Sequence, residues 1–146
     1  MAKEVDFPPV WLAGFAFAGW LIGLLWPVQF AWNAVIGMVL VVLAVVLMGL
    51  AALQMLFART TVIPRRDPSA LVTGGVFRLT RNPIYLADAV LLTGLYFGWN
   101  ALLALPLVAV FMWVIDRRFI RDEEERLARQ FGEEFEAYRA TTRRWL

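Results

Sequence analysis

An apolar run from 30 to 57, with no charge anywhere in its centre at 35–53, most constrains what this chain can fold into. At about 1.5 Å per residue it is longer than the roughly 30 Å hydrocarbon core of a bilayer, so it crosses with tilt or protrudes at one end. A second run, 10–26, is just long enough to span. Of the 146 residues, 61% are hydrophobic, above the share of about half found in soluble domains, which places the chain in a membrane. Gly19 and Gly23 form a small-xxx-small pair and, with Gly37 and Gly49, read as packing notches. Runs at 83–97 and 101–115, joined by the uncharged turn Gly98-Trp99-Asn100, predict an antiparallel helical hairpin whose second helix is kinked at Pro106. The fold class is all-α, a single integral membrane domain over 1–146 with four transmembrane helices.

The charges set the topology. They lie in a polar lead with Lys3, Glu4 and Asp6, in a connection at 58–82 and in a tail at 116–146, with Asp88 the one exception. By the positive-inside rule this is a multi-pass protein with both termini and the long connection cytoplasmic. The apolar run continues past Ala16-Phe17-Ala18 to Trp26, so no signal cleavage is expected there. The net charge of +2 carries no nucleic-acid reading, because the arginines cluster where membrane topology puts them. With 0 His and 0 Cys, a histidine base, thiol nucleophiles and the usual zinc ligands are excluded, and no metal site is expected. Chemistry must therefore use carboxylates, Arg, Tyr, Asn or a cofactor.

Two polar constellations remain. The first opens the third helix, where Asn82 caps free N–H groups and Pro83 sits at the first helical position without loss. Arg78 and Arg81 precede the cap, while Tyr85 and Asp88 stand three apart on one helix face. A helix start flanked by arginines attracts anions. An intramembrane acid such as Asp88 is either functional or paired with Arg81, Arg117 or Arg118. The second lies on an amphipathic tail helix, 116–130, stopped near Gly132. Ile120, Leu127 and Phe131 share a face with Glu124 in its middle and Glu123 at its flank, whereas Asp122 and Glu125 point to water. Glu123 and Glu124 either bridge to a nearby arginine such as Arg81, Arg117 or Arg121, or hold a ligand's hydroxyls or positive charge. A shorter helix, 133–140, with Phe135 and Tyr138 inward, folds the tail back as a lid.

In order along the chain, Gly75, Phe77, Arg81, Asn82, Pro83 and Tyr85, a hairpin, Glu123, Glu124, Leu127, Phe131, Gly132, Phe135 and Tyr138, and finally Arg144 and Trp145 form one pattern. It resembles the membrane methyltransferases of the isoprenylcysteine carboxyl methyltransferase and phospholipid methyltransferase group. The resemblance covers the chain from about Gly74 to its end, and it departs at Asn82, where many members have His, at Phe77 and at Ala87. It implies S-adenosylmethionine bound on the cytoplasmic side, with a lipid-like or hydrophobic small-molecule acceptor reaching it from the bilayer. Arg81, Asn82, Pro83, Tyr85, Glu123 and Glu124 would then line the cofactor pocket, and Asp88 and Tyr85 would be the candidate catalytic residues. The donor's carboxylate would fall to Arg81 and the Asn82 helix start, its ribose diol to Glu123 or Glu124, and its ammonium or the acceptor to Asp88. Two alternatives stand beside an isoprenylcysteine-type enzyme: a phospholipid amine N-methyltransferase, and a non-catalytic four-helix membrane protein that binds lipid or a partner.

Overall fold

The computed structural model describes residues 6–63 and 65–146; Lys3 and Glu4 of the polar lead, and Pro64 of the connection, lie outside the described residues. The elements are α1 (Pro8–Leu25), α2 (Asn33–Phe57), α3 (Pro83–Gly98), α4 (Pro106–Ile115), α5 (Arg121–Phe131) and α6 (Glu133–Thr141), with no strand among the described residues. Helices α1 and α2 are long and apolar enough to cross a membrane, while α3 is apolar but only 16 residues long. Much of the apolar surface of these two helices faces outward: Phe17 is 60% exposed, Met38 70% and Val45 62%. Side chains of that kind belong against lipid.

Glycines bring the helices together. A Cβ on Gly37 would stand 2.7 Å from the Gly98 nitrogen and 2.8 Å from the Gly94 oxygen, so α2 and α3 pack backbone to backbone. At Gly19 a Cβ would overlap the Tyr96 ring; without it, the Tyr96 hydroxyl reaches the Phe15 carbonyl of α1 at 2.8 Å. Gly49, read from the sequence as a notch, faces open space instead. One core joins α1, α3 and α4 through Leu92, Tyr96, Phe111 and Ile115. At the uncharged end, Asn33 donates to the Val28 carbonyl and to the Asn100 side chain, tying the two turns to each other.

Several expected boundaries move. The second helix starts at Asn33 rather than 30, because Asn33 is buried in that turn–turn contact. In the fourth, Leu102–Ala104 form a 3-10 turn and the α-helix begins only at Pro106. Pro106 therefore starts α4 and does not kink it, since a first-turn position needs no N–H donor. The tail helix is continuous with α4 through a π-helical turn, Asp116–Ile120. The apolar stripe slips by one residue there: Phe111, Ile115 and Phe119 are buried on one side of the slip, Ile120 and Glu124 on the other. The 58–82 connection is not wholly irregular, because Gly75–Arg78 make a 3-10 turn. Gln54 of α2 pins that turn, donating to the Gly74 carbonyl at 3.1 Å and accepting from the Val76 N–H at 3.1 Å. Gly75, at φ +55°, has no room for a side chain beside the Gln54 amide.

Candidate functional site

The start of α3 and the tail are knitted together by main-chain carbonyls. The Arg81 N–H donates to the Arg143 carbonyl at 2.9 Å, and the Thr80 hydroxyl to the Arg144 carbonyl at 3.0 Å. The Arg81 guanidinium donates through Nη1 to the carbonyls of Arg139 and Thr142, and through Nη2 to Glu124 Oε1 at 3.0 Å. Arg144 grips the same carboxylate, Nε to Oε1 at 3.0 Å and Nη2 to Oε2 at 2.6 Å, and also reaches Asp116 at 2.8 Å. Asn82 makes no side-chain cap bond; its Nδ2 donates to the Arg144 carbonyl at 3.0 Å. The expected cap is not made: the amide is held through its Nδ2 by the tail carbonyl, and its oxygen accepts from none of the free helix N–H groups. Beneath this strap, Phe77, Phe135 and Tyr138 form a second small core with Ala51 of α2, and Tyr138 donates to the Phe77 carbonyl at 2.6 Å. The 133–140 segment thus folds back on the connection, as the inward pattern of Phe135 and Tyr138 predicts.

Under the strap lies a cavity of ≈ 310 Å³. Arg81, Asn82, Pro83, Tyr85, Asp88, Glu123 and Glu124 all line it, so residues some forty positions apart in sequence converge on one space. Met48 and Met55 of α2, Ile84 and Leu127 supply apolar wall, and Pro8 and Pro9 lie at the start of α1. The polar members differ in engagement. Tyr85 donates to Glu123 Oε1 at 2.6 Å. Glu124 is enclosed by two guanidinium groups. Asp88 is 6% exposed and has no hydrogen bond or ion pair among the described residues. The arginines expected beside it are committed elsewhere: Arg81 to Glu124 and the tail carbonyls, Arg118 to Asp6 and over the Trp11 ring, and Arg117 over the Trp113 ring.

The two adjacent glutamates have their carboxyl values shifted in opposite directions. Burial pushes the Glu123 carboxyl up from its ordinary value of 4.5, and the Tyr85 hydrogen bond and the charge of Arg126 offset this only in part. Burial also pushes Glu124 up, but the Arg144 hydrogen bond and the charges of Arg81 and Arg144 outweigh it, so its carboxyl lies below 4.5. Arg126, which sequence reasoning passed over, lines the same cavity with a buried Nη1 that has no partner among the described residues. Its spacing gave a signal: it stands three residues after Glu123, on the same side of α5. A second cluster ties the start of α1 to the connection and to the π turn, with Asp6 accepting from Trp11 at 2.9 Å, Arg65 at 2.7 Å and Arg118 at 3.4 Å.

A family model described as phospholipid methyltransferase matches residues 32–134, from the turn before α2 into α6. No curated protein and no solved structure matches the chain.

Proposed function

The chain belongs to the phospholipid methyltransferase family, and we propose that it is an integral membrane, S-adenosylmethionine-dependent methyltransferase acting on a lipid-like acceptor drawn from the bilayer. In this reading α1, α2, α3 and the apolar part of α4 all cross or enter the membrane. The termini, the 58–82 connection and the site lie on the cytoplasmic side, where the basic residues collect.

The observation that carries the reading is one cavity, at the charged ends of the helices, that combines apolar wall with three unlike polar groups: the Tyr85–Glu123 pair, and Asp88 and Arg126 Nη1, neither of which has a hydrogen-bond partner among the described residues. Its volume of ≈ 310 Å³ is at the lower end of the roughly 300–1,000 Å³ of small-molecule sites. The residues fit the methyl donor. Of the two glutamates offered for its ribose diol, Glu124 has both oxygens engaged by Arg81 and Arg144. Glu123 keeps Oε2 without a partner among the described residues, and it is the one we assign to the diol. When bound, the donor supplies an electrophilic methyl on a sulfonium, which leaves as a neutral thioether.

The chain's own residues align the acceptor and exclude water, which is most of what an in-line transfer needs. Asp88 favours an amine acceptor, hence N-methylation of a phospholipid-type amine over carboxyl methylation. A buried carboxylate with no partner among the described residues balances an ammonium, and it accepts the proton that an amine must shed before its lone pair forms the new N–C bond. Tyr85, tied to Glu123, borders the same space and orients that carboxylate.

The test is thermal unfolding of the detergent-solubilised protein with S-adenosylmethionine or its demethylated product. Ligand at 100 times its Kd stabilises a folded protein by about 2.7 kcal/mol, so a clear upward shift in midpoint is expected. No shift at millimolar ligand removes the reading and leaves the non-catalytic alternative. Labelled donor incubated with total membrane lipid then identifies the acceptor.

A further inference from the structure

We infer that Asp6 is a positioning residue of the cavity: through Arg65 it holds the loop at 60–69 in place as one wall, and the wall moves aside when that hold is lost. This rests on the cavity being a ligand site, and it adds to the proposed function the device that governs entry. The loop is tied to itself at its ends. The Ser69 hydroxyl donates to the Arg59 carbonyl at 2.5 Å, and the Thr60 hydroxyl accepts from the N–H groups of Ser69 at 3.2 Å and Ala70 at 3.4 Å. A compact loop closed at its neck is an Ω-loop, a form that recurs at functional surfaces, and it moves as one piece about that neck. Residues 60–63, 65, 66 and 68 line the cavity. Beyond the neck, two side-chain hydrogen bonds join the loop to the rest of the described residues. Gln130 of α5 donates to the Pro68 carbonyl, one residue from the neck, so the far side of the loop depends on Arg65.

Arg65 is held from two sides. Its Nη2 donates to Asp6 at 2.7 Å, and its guanidinium lies over the Phe119 ring, 5.2 Å from the centroid. Phe119 is buried in the π turn and offers a fixed surface. Arg65 has φ +64°, a left-handed conformation that a residue with a side chain rarely keeps unless its surroundings fix it. Asp6 is fixed in turn, accepting from Trp11 Nε1 of α1 at 2.9 Å and from Arg118 at 3.4 Å, whose guanidinium covers the Trp11 ring. The Trp11 and Arg65 bonds hold its carboxyl below the ordinary value of 3.8, so it is charged at neutral pH. One carboxylate therefore joins α1, the π turn and the loop. Asp6 is not among the residues that line the cavity, so it acts there through Arg65. With side chains 31% and 21% exposed, the Arg65–Asp6 pair is strong enough to set where the loop rests and weak enough to be broken and remade.

The chain has no cysteine, so a single introduced thiol reports one place. Two reporters are read on the full, ligand-free chain in detergent. One is a nitroxide on Asp67→Cys, exposed on the loop and outside the cavity lining. The other is the alkylation rate of Met55→Cys, in the α2 wall of the cavity, by a small water-soluble maleimide. Asp6→Asn keeps an acceptor for Trp11 and removes the charge. It should mobilise the nitroxide and raise the alkylation rate about three-fold or more, the scale of losing a partly exposed ion pair. Arg65→Gln should do the same, and the two changes together should fall short of the sum of their separate effects. Salt at about 1 M should free the wild-type loop and leave Asp6→Asn unaffected. Glu136→Gln, which removes the exposed pair with Arg139, should move neither reporter. With the demethylated donor product as probe, association and dissociation rates should both rise about three-fold in Asp6→Asn while Kd stays within about two-fold, the signature of a gate. Either reporter unchanged in Asp6→Asn overturns the inference, as does a loss of affinity carried by the dissociation rate alone. If the probe does not bind the wild type while both reporters respond, the methyl-donor reading fails and the wall held by Asp6 stands.

Discussion

Replacing Glu124 and Glu123 separately by Gln tests the balance of forces at the site, because the same change at adjacent positions should cost much at one and little or nothing at the other. Glu124 accepts three charge-assisted bonds, from Arg81 at 3.0 Å and from Arg144 at 3.0 and 2.6 Å. The Glu124 and Arg81 side chains are 9% and 10% exposed, whereas Arg144 is 28% exposed. Removing one partner of a buried pair costs about 3–5 kcal/mol. Since Arg144 is partly solvated and retains Asp116 at 2.8 Å, the lower end applies, and Glu124→Gln should lose about 3 kcal/mol. Glu123 has one hydrogen bond, from Tyr85, and its carboxyl is pushed up by burial. A Gln there still accepts from Tyr85 and no longer has to be desolvated as a charge. Glu123→Gln should therefore stay within about 0.5 kcal/mol of wild type or exceed it. The assay is reversible unfolding of ligand-free protein in mixed micelles by SDS titration at neutral pH. A loss below about 1 kcal/mol for Glu124→Gln, the level of an exposed pair, refutes the buried strap. A Glu123→Gln loss as large as that of Glu124→Gln refutes the contrast.

Acid should loosen the tail through the same pair. Because folding lowers the Glu124 value below 4.5, its contribution is fully present above 4.5 and is lost as pH falls through the lower folded value. For Glu123, raised by folding, the contribution is present below 4.5 and is lost as pH rises through the folded value. The protection factor of the Thr142 N–H, which donates to the Tyr138 carbonyl, should then fall at acid pH in wild type once the pH dependence of intrinsic exchange is divided out, and an unchanged acid limb in Glu124→Gln would contradict the assignment. Gly37→Ala should cost about 1–3 kcal/mol or more, because its Cβ meets the backbone of Gly94 and Gly98, which cannot yield as a flexible side chain can. Gly49→Ala, in open space, should be neutral or stabilising by up to about 1 kcal/mol through helix propensity. Thermal midpoints decide between them, and equal losses would sink the packing account.

The long apolar runs and the uncharged turns were legible because membrane helices are written in local composition. The inward face of the tail helix was legible from period alone, and Glu124 is buried between exposed Glu125 and half-buried Glu123. What the sequence concealed depends on partners distant along the chain. Whether Asn82 caps α3 or Arg81 stays open to an anion is decided by the carbonyls of residues 139–144, some sixty positions away. Gly37 and Gly49 look alike in composition, and only the path of α3 past one and not the other separates them. Pro106 was misplaced because a proline reads the same in a helix interior and at a helix start until the preceding 3-10 turn is known.

The π turn at Asp116–Ile120 sets the phase of everything after it. Each residue advances an α-helix by about 100°, so one residue more or less within this turn is a rotation of the whole tail about its own axis. Deleting one residue there leaves the rod unbroken but swings the acids of α5 around it relative to α4. Glu125, rather than Glu124, would then take the position that faces Arg81. Between related chains, a single-residue gap at this turn would thus re-index which carboxylates look into the cavity while every helix kept its place.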